Sequence, residues 1–236
     1  MIGTFEPRVF DVGTIAQAKR IILTPEGSTT EERWAKETPY LADLIVQHLT
    51  LRPDSVLLDY GCGIGRLAKE LIARKKCRVI GVDMSASMRA LSVAYVESDS
   101  FFACSPAMLD TLIARKLVVD AAIAVWVLQH CKDPSADISR IGRCLPTSGE
   151  LFVVNNIRRA VPMMQRTLGP SAAKLQGRWV DDGIDIKALL SDRFACLQEG
   201  RFAPDRMAAD LVGATYWAKF KIKEERNHIA AKGEMA

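Results

Sequence analysis

The chain has 236 residues, 49% of them hydrophobic and 25% charged, with 32 Lys+Arg against 28 Asp+Glu and a net charge of +4. That balance excludes a disordered or polycationic protein and allows one large domain or two small ones. The six cysteines, at 62, 77, 104, 131, 144 and 196, form no CxxC and no zinc-ligand spacing, so reduced thiols and no metal site are expected. The apolar run from Leu117 to Leu128 is broken by Asp120 and is too short to span a bilayer. The first eleven residues carry acids and a Pro in place of a signal peptide's basic start and apolar core, so a cytoplasmic location is expected.

In chain order, residues 1–53 come first and are expected to form a helical lid. Thr29 and Glu32 have capping-box spacing ahead of Trp34. Leu41, Leu44, Ile45, His48 and Leu49 then share one helical face. Pro39 is expected to kink this helix or start a new one, because its ring removes a donor and crowds the preceding turn. Arg52-Pro53-Asp54 is a turn signal.

Residues 54–157 alternate strand and helix patterns. Strands are predicted over 55–59, 78–82, 100–104, within 118–128 and over 150–155. Helices are predicted after the glycines at 61, 63 and 65, and over 85–94, 106–116 and 135–145. The apolar character of 118–128, interrupted only by Asp120, requires cover on both faces, as in a parallel sheet between helix layers. Strict alternation implies right-handed crossovers and a doubly wound α/β domain over 54–223. Residues 158–180 read as an irregular basic insert. A helix is predicted over 184–193, and strands over 194–202 and 215–223 would add an antiparallel edge to the sheet. Residues 224–236 read as a polar tail.

The motif that carries chemistry is Asp59-Tyr60-Gly61-Cys62-Gly63-Ile64-Gly65. It joins a strand to a helix, where glycines admit a ligand close to the backbone and the helix N-terminus offers free N–H groups. A second acid, Asp83, ends the next strand and is placed for ribose hydroxyls. A turn that merely packs helix on strand would leave both acids unexplained. A dinucleotide prefers GxGxxG, and an acid facing the loop would repel its pyrophosphate. The same acid suits a cationic amine, so S-adenosylmethionine is favoured over NAD.

DYGCGIG followed by VIGVDMSASM resembles motifs I and II of the class I S-adenosylmethionine-dependent methyltransferases. The similarity continues through VVDAAIAVWVLQHCKDP and LPTSGELFVVN, and so covers about 55–157. The resemblance implies a mostly parallel seven-stranded sheet with an antiparallel last strand. It implies that Asp59 faces the methionine amino group, that Gly61, Gly63 and Gly65 line the cofactor, that Asp83 binds the ribose and that Met84 packs on adenine. The family often has an acid at the end of its third strand. Here that strand ends in Ala103-Cys104-Ser105-Pro106, so Ser105 or the backbone near Met108 would serve the adenine instead.

The acceptor should lie past the fourth and fifth strands and under the lid. His130 is the best-placed base, with a packing role as its alternative; Trp126, Gln129 and Tyr40 are candidate contacts. From Leu151 to Val180 there is no Asp or Glu, while Arg158, Arg159, Arg166, Lys174 and Arg178 are present. These cations suggest a small anionic acceptor bound by Arg158 and Arg159, or else a solvated face. Low net charge and the absence of an Asn/Asp-Pro-Pro-Tyr tetrad argue against a nucleic-acid acceptor. A protein, peptide or RNA acceptor, or a cofactor-binding partner protein without turnover, stands as the alternative. The sequence does not set the oligomeric state.

Overall fold

A computed structural model describes residues 4–25, 27–168 and 173–223, the side chains of 165–168 and 173–176 excepted. The predicted tail and the side chains of Arg166 and Lys174 lie outside the described residues. In order, the elements are β1 (Thr4–Phe5), a 3-10 turn (Pro7–Phe10), α1 (Ile15–Ile22) and α2 (Thr30–His48). There follow β2 (Val56–Tyr60), α3 (Arg66–Lys75), β3 (Arg78–Val82), α4 (Ala86–Val96), β4 (Phe101–Cys104) and α5 (Pro106–Ala114). Next come β5 (Ala121–Val125), a 3-10 turn (Leu128–His130), α6 (Pro134–Cys144) and β6 (Glu150–Asn156). The chain continues with β7 (Val161–Leu168), β8 (Ala173–Val180), α7 (Ile186–Arg193), β9 (Phe194–Gly200), α8 (Ala209–Ala214) and β10 (Thr215–Ile222).

Seven strands form one sheet in the order β4-β3-β2-β5-β6-β10-β9, with only β10 running against the others. Side chains alternate across it. Leu57, Ile123 and Phe152 pack under α2 and α3, whereas Leu58, Ala122 and Val153 face the opposite core. All six are fully buried, and each of the larger ones contributes roughly 1.5–3 kcal/mol by leaving water. Cover on both faces explains the continuous apolar run that predicted this strand. Among the described residues no helix is long and apolar enough to cross a membrane.

The capping box is present: Thr29 Oγ1 accepts from Glu32 N, and Thr29 N donates to Glu32. The helix then runs through Pro39 without a new start. Many good helix formers along its length and a buried face outweigh one missing hydrogen bond.

The region 158–180 corrects the sequence reading. It forms an antiparallel hairpin, β7 with β8, which β1 joins through Thr4↔Met164 and Phe5↔Met163. Pro162 obscured the strand, since proline cannot donate to a ladder. It is tolerated because β1 is two residues long and ends there, with Glu6 N donating to the Pro162 carbonyl at 2.9 Å. The elements β1, α1 and α8 carried no sequence prediction.

Candidate active site

The strand order reverses between β2 and β5, and at such a point the carboxyl ends of the strands leave a crevice. A cavity of about 630 Å³ occupies it. Asp59, Gly61, Gly63, Asp83 and Met84 of the predicted cofactor set line this cavity, as do Trp126, Gln129 and His130 of the predicted acceptor set.

The glycines have a second reason besides ligand approach. Gly61 and Gly65 sit at φ +80° and +77°, which L side chains rarely adopt. A Cβ on Gly61 would lie 2.3 Å from Val127, and one on Gly65 would lie 2.5 Å from Val96. Gly65 itself caps α3 and does not line the cavity.

Asp83 is held by its neighbours. Its Oδ2 accepts from Gly63 N and its Oδ1 from Ser85 N, both at 2.9 Å, and each oxygen keeps a lone pair. Arg89 donates to the carbonyls of Asp83 (2.7 Å) and Met84 (2.9 Å) and fixes the turn. Burial raises the Asp83 carboxyl above the usual range against these hydrogen bonds and the Arg89 charge. Asp59 is 3% exposed. Burial first, and then the Asp83 charge, push it up to about 7, with Arg66 opposing.

Arg66 had no predicted role, although it follows the glycine loop directly. It is buried, lines the cavity, and lies between Trp34 and Trp126 at 5.5 and 5.7 Å from the ring centroids. Burial lowers its guanidinium to about 10 while Glu37 and Asp59 oppose. Its hydrogen bond to the described protein is one, from Nη1 to Thr38 Oγ1 at 3.3 Å. Most of its five donors are thus left for a ligand. Trp126 has φ +52°, a strained backbone for a bulky residue at this crevice.

His130 is fixed in one tautomer. Its Nδ1 lies 2.6 Å from the Ala160 carbonyl, which can only accept, so Nδ1 carries the hydrogen and Nε2 the lone pair. Gln129 Oε1 accepts from Asn156 N at 3.1 Å, which turns the Gln129 amide nitrogen to His130 Nε2 at 3.3 Å. Burial pulls the imidazole below its ordinary value; the Ala160 hydrogen bond opposes this, and the Arg159 charge adds to it. The ring is therefore neutral at pH 7. On the other side of β2, Tyr60 donates to Asp137, and Arg140 donates to Tyr60 (2.9 Å), Asp137 (2.6 Å) and Asp110. This network forms a polar wall at the α6 end of the cavity.

Five predicted residues, besides Gly65, lie away from the cavity. Ser105 caps α5 by accepting from Met108 N at 3.1 Å, and Met108 is exposed. The Tyr40 hydroxyl accepts from Ala203 N, and its ring packs on Phe202, on the outer face of α2. Arg158 is exposed. Arg159 is buried and already paired, with Nη1 to Asp182 at 2.6 Å and Nη2 to the Cys131 carbonyl. The local cation run was visible in the sequence, but the acid that neutralises Arg159 lies just beyond the acid-free span.

Comparison with known proteins identifies the family and the fold. A family model described as a methyltransferase domain matches residues 28–193. The chain belongs to this methyltransferase family. No curated protein matches the chain. Among solved structures, the PH0226 protein from Pyrococcus horikoshii OT3 is 18% identical with a TM-score of 0.58, over 89% of this chain and 100% of its own. An S-adenosylmethionine-dependent methyltransferase from Mesorhizobium loti is 16% identical with a TM-score of 0.56, over 80% and 99%. Geranyl diphosphate methyltransferase, solved in complex with GPP and sinefungin, is 15% identical with a TM-score of 0.56, over 78% of each chain. At these identities the structures share the fold. The methyltransferase uses S-adenosylmethionine. Its cavity fits that cofactor, because a buried acid and a buried, under-bonded guanidinium at one end match an amino-acid zwitterion.

Proposed function

We propose that this methyltransferase methylates an O or N atom of a small molecule, with His130 as general base. When bound, S-adenosylmethionine supplies a sulfonium methyl group for in-line displacement. Asp59 holds the ammonium of the amino-acid end and Arg66 its carboxylate. Asp83 accepts from the ribose hydroxyls, the 61–65 loop passes under the cofactor, and Met84 packs on the adenine. Trp126 and Gln129 bound the acceptor site, with Gln129 steadying the His130 ring.

The observation that carries the base role is the tautomer: a half-buried imidazole lining the cavity whose Nδ1 is tied to Ala160 and whose Nε2 lone pair has only the long 3.3 Å contact from the Gln129 amide for an acceptor to displace. Such a group takes a proton as the acceptor is alkylated. The lid residues Phe5, Phe10, Ile22 and Leu23 line the same cavity, which favours a small acceptor over a macromolecule. The expected anionic character of the acceptor loses its support here, because Arg158 and Arg159 are not in the cavity.

The test is the pH dependence of methyl transfer from labelled S-adenosylmethionine. His130→Gln should lower kcat by roughly 10²–10⁴-fold and remove the acid limb of the profile, with cofactor affinity unchanged. An unaltered profile would refute the base role.

A further inference from the structure

Three rings meet at the acceptor end of the cavity, each from a different part of the chain. Phe10 comes from the lid, His130 from the turn after β5, and Trp179 from β8. Their centroids are 5.8 Å (Phe10–His130), 6.0 Å (Phe10–Trp179) and 5.2 Å (His130–Trp179) apart, each pair tilted by 58°. All three line the cavity, yet Trp179 remains 55% exposed. A large ring left at the rim of a cavity, beside a neutral base, is a surface for another flat ring.

The surrounding charges narrow the class further. The charge that bears on His130 is Arg159, itself paired with Asp182; Lys132 lies two residues on and is exposed. Phe10 and Trp179 bring none. With Arg159 offset by Asp182, this end offers no unpaired acid to an ammonium acceptor, and a neutral hydroxyl that must lose its proton is the group that uses the base. A carboxylate acceptor is already ionised and would leave the fixed tautomer of His130 idle.

We infer that the acceptor is an aromatic ring bearing an ionisable hydroxyl, a phenol or a hydroxylated heteroaromatic, seated against Phe10 and Trp179 with its hydroxyl at His130 Nε2. This rests on the base role proposed above. The hydroxyl proton passes to Nε2 and then to solvent, the oxygen takes the methyl group as the sulfonium–methyl bond breaks, and the bonding pair stays on sulfur.

The test is a panel of phenols of graded acidity, benzoates, aliphatic amines and thiols, assayed with methyl-labelled S-adenosylmethionine and repeated with Trp179→Ala, Trp179→Phe and His130→Gln. Phenols should be methylated in preference to the rest. Trp179→Ala should raise their KM about tenfold or more with kcat within about threefold, Trp179→Phe should restore most of the loss, and S-adenosylhomocysteine affinity should not move. The His130→Gln defect should shrink as the phenol becomes more acidic, because a pre-ionised acceptor needs no base. Preferential methylation of benzoates, amines or thiols would overturn the ring-hydroxyl assignment, as would a Trp179→Ala variant with unchanged KM, or no turnover of any phenol while S-adenosylhomocysteine still binds. Phenol methylation with His130→Gln fully active would instead overturn the base role and leave the ring assignment standing.

Discussion

The two ends of the cavity are built on opposite chemistry. At the tips of β2 and β3, a buried acid, a half-buried acid and a buried guanidinium face the cavity, and backbone N–H groups lock the half-buried acid in place. At the other end two aromatic rings and one neutral imidazole do the work, drawn from the N-terminal segment, the turn after β5 and the hairpin. The first end discriminates by charge and hydrogen bonding, which forgive little displacement. The second discriminates by ring area and one lone pair. It is held by the β1–β7 pairing, so it can change without disturbing the strands that carry the acids.

Removing charge should therefore damage one end only. The largest effect is expected from Asp59→Asn, which should weaken S-adenosylhomocysteine binding by roughly 10–100-fold, read by calorimetric titration. The same variant should gain thermal stability relative to wild type as pH rises. The folded carboxyl titrates at about 7, above the ~3.9 of an unfolded chain, so the folded state binds this proton more tightly. Its stabilising protonation is complete at low pH and is lost between about pH 4 and pH 7. The difference in Tm between variant and wild type should thus widen in favour of the variant from pH 5 to pH 8, and a constant difference would remove Asp59 as its source.

A smaller effect is expected from Arg66→Gln. It should cost roughly tenfold in affinity for S-adenosylhomocysteine and leave that for 5′-methylthioadenosine, which lacks the amino-acid end, unchanged. Equal losses for both would mean that the Trp34–Arg66–Trp126 stack only shapes the helix. The smallest effects separate two neighbours. Arg159→Ala should lower stability by about 1–3 kcal/mol in denaturant unfolding, because it frees Asp182 and a carbonyl, while Arg158→Ala should change neither stability nor acceptor KM measurably. A large KM increase from Arg158→Ala would restore an anionic acceptor.

The cofactor end was legible because its determinants are local. An apolar run ending in an acid, a glycine turn and an amphipathic helix sit within twenty residues, and strand 78–82 was read to its ends. The acceptor end was not, because its parts meet only through distant pairing. Thr4 finds Met164 across about 160 residues, and no local pattern marks Phe10 as a neighbour of His130. Tyr40 was read on the right helix and the wrong face, since helical spacing fixes which residues share a side but not which side the crevice takes. Arg66 stood beside the motif, but its burial depends on Trp34 and Trp126, which only the packing of α2 on α3 brings to it.

The most direct measurement is calorimetric titration of S-adenosylhomocysteine between pH 6 and pH 8.5 in buffers of different ionisation enthalpy. If Asp59 holds the ammonium, binding near pH 7 releases a proton, affinity rises through about pH 7 as the carboxyl ionises, and Asp59→Asn abolishes that rise. Binding with no proton release and no change in the Asp59→Asn variant would contradict the charge-built cofactor end.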